Sequence, residues 1–182
     1  MSKLVFFDRK KEFEIWKFTP DLLHAFPFYM EKVRLPWRIR CVMEYFVGYR
    51  VYYIKKDGQW AGYCVVSDGR NPRYSFSTGQ DIIYGRYFIA EAFRGNGLAA
   101  RMLREILENC ETGYRRAFAY LKVNNLASVA TMHNIGALER KRFDIRGPVR
   151  KLYDNESGSF VLFEYIRTRN RGKKRKEGVD LS

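Results

Sequence analysis

The chain has 182 residues, 46% of them hydrophobic and 16% aromatic, with a formal net charge of +14. That length and composition suit a folded domain with a real core rather than a disordered chain, and no apolar run approaches the ~18–20 residues that a membrane span requires. The positive field favours anionic partners (nucleic acid, phosphorylated metabolites, anionic membrane) without choosing among them.

The opening "MSKLVFFDRKKEF" has too short an apolar run before its charges for a secretory leader, so a cytoplasmic protein is expected. "FEIWKF" (13–18) alternates as a strand does. Thr19 and Pro20 then give a cap and a first-turn proline for a helix over "DLLHAF", interrupted at Pro27. "YMEKV" and "RIRCVMEYFV" suggest a second helical piece, with Pro36 between them. "RVYYIKKDGQWAGYCVVS" is a hairpin, because Asp57-Gly58 suits a type I′ turn with positive φ. After a loop rich in Gly, Asn and Pro comes "DIIYGRYFIA", a strand whose Gly85 marks a bulge or a close backbone approach. Leu98, Met102, Leu103, Ile106 and Leu107 then share one face of a helix. "RRAFAYLKV" (115–123) is a buried strand, and "NLASVATMHNIGA" a short helix ended by Gly136 in the left-handed conformation. "LERKRFDIRG" and "SFVLFEYIR" read as two strands joined by the turn-rich "DNESGS". The order mixes antiparallel hairpins with one strand–helix–strand unit, which makes an α+β or mixed α/β domain. The domain is expected over 1–166. Residues 167–182, with seven basic residues between Arg167 and Lys176, form a solvated tail. Cys41, Cys64 and Cys110 form no C-x-x-C pair and there are two histidines, His24 and His133, so neither a disulfide framework nor a metal site is expected.

The segment "IAEAFRGNGLAARML" (89–103) leaves a strand, places glycines on both sides of Asn96 and enters a helix. A helix N-terminus has amides without internal partners and about half a positive charge, and glycine admits a ligand close to the backbone. "FRGNGLAAR" therefore suits a diphosphate, with Arg94 adding a fixed charge. Gly95 to Ala100 also fit G-x-G-x-x-A, but the next strand ends "AYLKVNN", without the acid that a dinucleotide's ribose needs. The G-K-[ST] of a nucleoside-triphosphate loop is missing as well.

Arg94-x-x-Gly97-x-Ala99, between a strand and an amphipathic helix, resembles the acetyl-CoA loop of the GNAT acetyltransferase superfamily. A second match is "NLASVATMHNIGA", with Asn125, Ser128 and Gly136 at the superfamily's positions. The resemblance covers roughly residues 13 to 166. It implies one twisted mixed sheet flanked by helices, whose fourth and fifth strands, here "DIIYGRYFIA" and "RRAFAYLKV", splay apart. It implies that the pantetheine arm lies on the backbone of Tyr87, Phe88 and Ile89, and that the pyrophosphate rests on the amides of Arg94, Gly95, Asn96, Gly97, Leu98 and Ala99. It implies too that Asn125 contacts the arm or holds the second helix, with Ser128 as a further cofactor-binding candidate. Arg101, Arg104 and Lys122 are candidates for the nucleotide's 3′-phosphate.

The activity implied is acetyl transfer from acetyl-CoA, as co-substrate, to a primary amine. Such a reaction needs a route for the amine's proton, donors for the oxyanion and an outlet for thiolate charge. Many relatives carry a tyrosine four residues before the closing glycine to protonate the thiolate; Met132 stands here and cannot donate. His133, about 100° further round the helix, and Tyr120 on the neighbouring strand are the stand-ins, unless no acid is used. Asp81, on the same face as Ile83 by alternation, is the candidate base, with Glu44 second and a water relay open. "KVRLPWRIR" (Lys32, Arg34, Trp37, Arg38, Arg40) and "GRNPRYSF" (Arg70, Arg73, Tyr74, Phe76) combine guanidinium groups with rings, which suits a phosphorylated, ring-bearing acceptor. Residues 71–103 are also similar to acetyltransferases of bacterial surface-polysaccharide synthesis. An amino sugar, free or nucleotide-linked, is thus the expected acceptor. A protein or peptide amine, or a degenerate module binding nucleic acid through its basic surface, are the alternatives.

Overall fold

A computed structural model describes residues 4–9, 12–21, 42, 44–71, 74–147 and 151–167. The two helical pieces expected between 21 and 48 lie outside these residues, apart from helical positions at 42, 44 and 45. The basic tail from 168 onward does too.

Among the described residues, nine strands form a single mixed sheet: β1 (Leu4–Arg9), β2 (Glu14–Phe18), β3 (Tyr49–Lys56), β4 (Gln59–Asp68), β5 (Ile82–Ile89), β6 (Ala117–Lys122), β7 (Leu138–Arg146), β8 (Lys151–Asp154) and β9 (Phe160–Tyr165). Across the sheet they run β1-β2-β3-β4-β5-β6-β9-β7-β8. The β3–β4 turn is the one expected, with Asp57 at φ 49° and Gly58 at φ 76°, the two positive values that a type I′ turn demands. Two features correct the sequence reading. "LVFFDR" is a strand, antiparallel to β2. "DNESGS" joins β8, not β7, to β9, and β9 inserts between β6 and β7.

Among the described residues, helices α1 (Leu98–Glu105), between β5 and β6, and α2 (Leu126–Asn134), between β6 and β7, cover one face of the sheet. Leu98, Met102, Leu103, Ile106 and Leu107 are all buried there against Tyr52, Ile54, Cys64, Val66, Ile82 and Tyr84. Burial pushes the Cys64 thiol up to about 12, which suits an inert packing residue. The opposite face carries two aromatic groups: one around Phe18, Tyr49, Val51, Tyr53 and Val65, the other around Tyr74, Ile83, Phe118, Phe143 and Leu162. The space between them matters below.

α1 runs on as a π-helical turn over Ile106–Cys110. It closes with the Glu111 amide donating to the Ile106 carbonyl at 2.8 Å. The wider turn carries the Glu111 side chain inward, under the sheet. There both carboxylate oxygens accept from the Arg50 guanidinium, and the Tyr52 hydroxyl donates at 2.7 Å. Arg50 Nη1 also holds Asp68 at 2.7 Å. The C-terminal end of α1 is thereby fixed to β3.

Candidate functional site

The site begins where pairing stops. β5 and β6 run parallel and are paired at Ile82↔Ala117 and Ile83↔Phe118 only. Beyond that, β6 continues on β9 from Ala119↔Phe163 to Lys122↔Phe160, and β5 continues on β4. From Tyr84 to Ile89 the β6-facing edge of β5 has no strand partner among the described residues. A bulge opens the gap: Val65 pairs with Gly85 and Tyr63 with Phe88, so β5 uses three steps where β4 uses two. Arg86 absorbs the extra residue at φ 49°, and such bulges bend and twist their strand. β4 hugs β5 beside it: a Cβ on Gly62 would lie 2.4 Å from the Phe88 carbonyl oxygen. The expected splay is thus present, with Tyr84 at its closed end and Ile89 at its mouth.

The glycine loop lies just past that mouth. A 3-10 turn over Glu91–Phe93 leads to Arg94, Gly95 and Asn96, and Gly97 (φ 66°, ψ 13°) opens α1 with no side-chain cap. Residues 94–97 are exposed. Two arginines brace the loop, one within it and one from α1. Arg94 Nε donates to the Ile89 carbonyl at 2.9 Å, and its guanidinium lies 5.6 Å from the centre of the Phe88 ring. Arg101 Nη2 donates to the Asn96 carbonyl at 3.0 Å. The first-turn amides of α1 have no intrahelical partner by construction. Without a side-chain cap, and just behind the exposed residues 94–97, they offer N–H donors and the positive end of the helix to an anion.

α2 borders the gap on the helix face. Asn125 caps it, accepting from the Ser128 amide at 3.2 Å. Burial raises the Tyr87 phenol above its usual range; Ser128 and Thr131, beside which its hydroxyl lies, work the other way. Met132 is buried, and the Tyr84 hydroxyl donates to its Sδ at 3.5 Å. His133 is exposed, its ring edge-on to Phe163 at 5.3 Å. Gly136 (φ 84°) closes the helix as expected. Of the candidate phosphate ligands, Arg104 Nη2 is bound to the Asn134 carbonyl at 2.6 Å, Arg101 also holds Glu12 at 2.5 Å, and Lys122 is exposed at the end of β6.

On the opposite face, between the two aromatic groups, lies a cavity of about 120 Å³ lined by Val65, Ser67, Tyr74, Ile83, Tyr84, Gly85, Arg86 and Tyr120. The Tyr74 and Tyr120 rings stand 6.0 Å apart. The bulge turns Arg86 into this wall, where it is paired with the buried Glu44. Gly85 in mid-strand hints at the bulge, but nothing local announces that Arg86 or Tyr84 belongs to the site.

The three candidate catalytic residues do not converge. Tyr120 lines the cavity, His133 sits on the helix face, and Asp81 is occupied. Asp81 takes Arg116 Nη2 at 2.9 Å and Nε at 3.1 Å, and the Thr78 amide and hydroxyl, both at 2.8 Å. Burial works to raise this carboxyl, but the bonds from Arg116 and Thr78 outweigh it and hold it below its usual value. Such a group is a clamp at the start of β5 and a poor proton acceptor. Asp81→Asn is expected to leave the pH–rate profile unchanged; loss of its acidic limb would restore Asp81 as the base. The clamp contributes stability above the unfolded carboxylate pKa of ~3.9 and loses it as pH falls through the lower folded value. The Tm difference between wild type and Asp81→Asn should therefore be present at pH 6 and shrink below about pH 4.

Of the acceptor candidates, Tyr74 lines the cavity, Phe76 packs on Phe118 at 5.5 Å and Arg70 is exposed, 3.6 Å from Asp68. Lys32, Arg34, Trp37, Arg38, Arg40 and Arg73 lie outside the described residues.

The sequence matches the model of the acetyltransferase (GNAT) family over residues 12–137. No curated protein is significantly similar to it. Among solved structures, the fold is similar to an acetyltransferase from Thermus thermophilus, with 18% identity, 75% of this chain and 77% of that one covered, and a TM-score of 0.54. It is also similar to RimL, the ribosomal L7/L12 alpha-N-protein acetyltransferase, in complex with coenzyme A (16%, 72% and 72%, 0.53). A third is the microcin C7 self-immunity acetyltransferase MccE, in complex with acetyl-CoA and AMP (14%, 86% and 93%, 0.53).

Proposed function

The chain belongs to the GNAT acetyltransferase family, whose co-substrate is acetyl-CoA, and from that premise we propose that it acetylates the amine of a small anionic acceptor held in the cavity beside Arg86. One observation carries the reading: the gap between β5 and β6 leads from the uncapped amides of Gly95 to Ala99 at one end to Tyr84 at the other, and Tyr84 also lines the cavity on the far face. Coenzyme and acceptor would approach from opposite faces and meet at the bulge.

The coenzyme supplies an activated acetyl group: the amide C–N bond forms as the thioester C–S bond breaks, the electron pair passes to sulfur and the amine gives up a proton. The remaining work falls to the chain. The amides of Gly95 to Ala99 hold the diphosphate, and Arg94 and Arg101 keep the loop open for it. The unpaired edge of Tyr87 to Ile89 aligns the pantetheine amides. Tyr74 and Tyr120 bracket the acceptor's ring, and Arg86 draws its negative charge toward the bulge. No carboxylate lines the cavity among the described residues, so the amine's proton is assigned to a water path, with Glu44 beside Arg86 as the carboxylate tied to the wall. An amino sugar, free or nucleotide-linked, meets these demands with its amine-bearing end in the cavity.

Release of free CoA across a panel of amino sugars, nucleotide-linked amino sugars, peptides and polyamines tests the acceptor; a preference for peptides or polyamines would replace it. Arg86→Gly suits the positive φ and removes the guanidinium. It should raise the acceptor KM by about 10–100-fold, the value of a charge-assisted bond, and leave acetyl-CoA binding unchanged. An unaltered acceptor KM would remove Arg86 from the site.

A further inference from the structure

Tyr84 is the first residue of β5 beyond the last rung shared with β6. Its side chain lies on the helix face, 1% exposed, among the residues packed under α1 and α2. Buried phenols ordinarily reach a strong acceptor. Here the hydroxyl's one hydrogen bond among the described residues goes to the thioether of Met132, at 3.5 Å, and a thioether is a weak acceptor. From Tyr84 to Ile89 the strand rises roughly 16–17 Å, and the amide loop follows directly. A chain anchored at the loop by its diphosphate and laid along that open edge brings its far end to Tyr84, where the cavity of the other face also arrives.

We infer that the Tyr84 hydroxyl is a donor to the coenzyme's sulfur, exchanging its weak bond to Met132 for one that strengthens as negative charge gathers on the departing thiolate. The inference rests on the gap being the coenzyme's slot. Tyr84 gives a hydrogen bond and keeps its proton; the electron pair of the broken C–S bond stays on sulfur, and the thiolate takes its proton from solvent after release. Burial holds the phenol well above its usual range, so it remains a donor throughout the working pH range.

Calorimetry with CoA and with desulfo-CoA, which lacks the sulfur, separates this inference from the reading beneath it. At about pH 9.5, above the ~8.5 of an ordinary thiol, where CoA is a thiolate, wild type should bind CoA about tenfold more tightly than desulfo-CoA, the scale of a hydrogen bond to a charged group. Tyr84→Phe should bind both ligands as wild type binds desulfo-CoA, and lose kcat by about 10–100-fold with little change in the acetyl-CoA KM. Met132→Leu removes the thioether and keeps the hydroxyl, so it should preserve the preference for CoA and keep kcat within about threefold of wild type. Binding of neither ligand by wild type would overturn the slot itself. Binding of both, with the preference for CoA intact in Tyr84→Phe, or equal losses in Tyr84→Phe and Met132→Leu, would overturn the role of Tyr84 alone.

Discussion

Gly97→Asp is expected to weaken acetyl-CoA binding by about 100-fold or more, close to 3 kcal/mol, without unfolding the protein. Gly97 has φ 66° and ψ 13° and stands immediately before the first residue of α1. Among the described residues, and apart from its two chain neighbours, no atom lies within 4 Å of where its Cβ would be, so the substitution meets no clash there. It faces two other penalties. The left-handed conformation costs an L-residue roughly 1–2 kcal/mol, and a carboxylate is placed among the amides proposed to receive the diphosphate, where like charge reverses the attraction of the helix terminus. Gly97→Asn separates the two, because asparagine enters this conformation readily and carries no charge. It should cost about tenfold or less. Calorimetry with acetyl-CoA measures both, beside thermal melts in which the conformational cost lowers Tm by only about 2–8 °C and leaves the protein folded at the assay temperature. Gly97→Asp binding within about threefold of wild type would sink the loop's role, and with it the assignment of the gap.

The parts of this site legible in the sequence are those encoded within a few residues. Asp57-Gly58 announces its turn because both residues must take positive φ. "FRGNGLAAR" announces its loop because two glycines, a helix start and a basic residue are adjacent. Asn125 and Gly136 mark the two ends of α2 by the same local logic. What the sequence hides is pairing between distant segments. Nothing in "DIIYGRYFIA" says that its rungs with "RRAFAYLKV" stop after two, since those strands are about thirty residues apart. Strict alternation fails in β5 because the bulge shifts the parity: Ile82 and Tyr84 face the helices, and so do Tyr87 and Ile89. Asp81 shows the same limit from another side. Its partner Arg116 is 35 residues away, so a carboxylate that looks available in the sequence is engaged in the fold. "KLYD" is four residues long and too short to stand out from its flanking turns, and the insertion of β9 between β6 and β7 leaves no local trace.

The second large effect is on stability, at the other end of α1. Glu111→Ala is expected to destabilise the protein by about 3–5 kcal/mol. The Glu111 side chain is 5% exposed and Arg50 is 17% exposed, so solvent does little to screen the pair. Removing the carboxylate deprives Arg50 of two acceptors and leaves the Tyr52 hydroxyl without the bond it makes to Glu111. Arg50 keeps Asp68 at 2.7 Å but loses both Glu111 oxygens, and leaving its buried guanidinium under-partnered is the costly step, which gives the pair a signature: Arg50→Met with Glu111→Leu removes both charges together and should cost less than Glu111→Ala alone. For a domain of this size each kcal/mol moves Tm by roughly 2–4 °C, so the single variant should melt about 10 °C early. Function should follow stability here rather than chemistry. The glycine loop proposed to bind the coenzyme sits at one end of α1 and the clasp at the other, so Glu111→Ala should keep its acetyl-CoA affinity at low temperature and lose it on warming, ahead of wild type. Chemical denaturation showing a loss below about 1 kcal/mol, the range of exposed pairs, would mean that Arg50 and Glu111 behave as surface charges and that packing alone fixes α1 against β3.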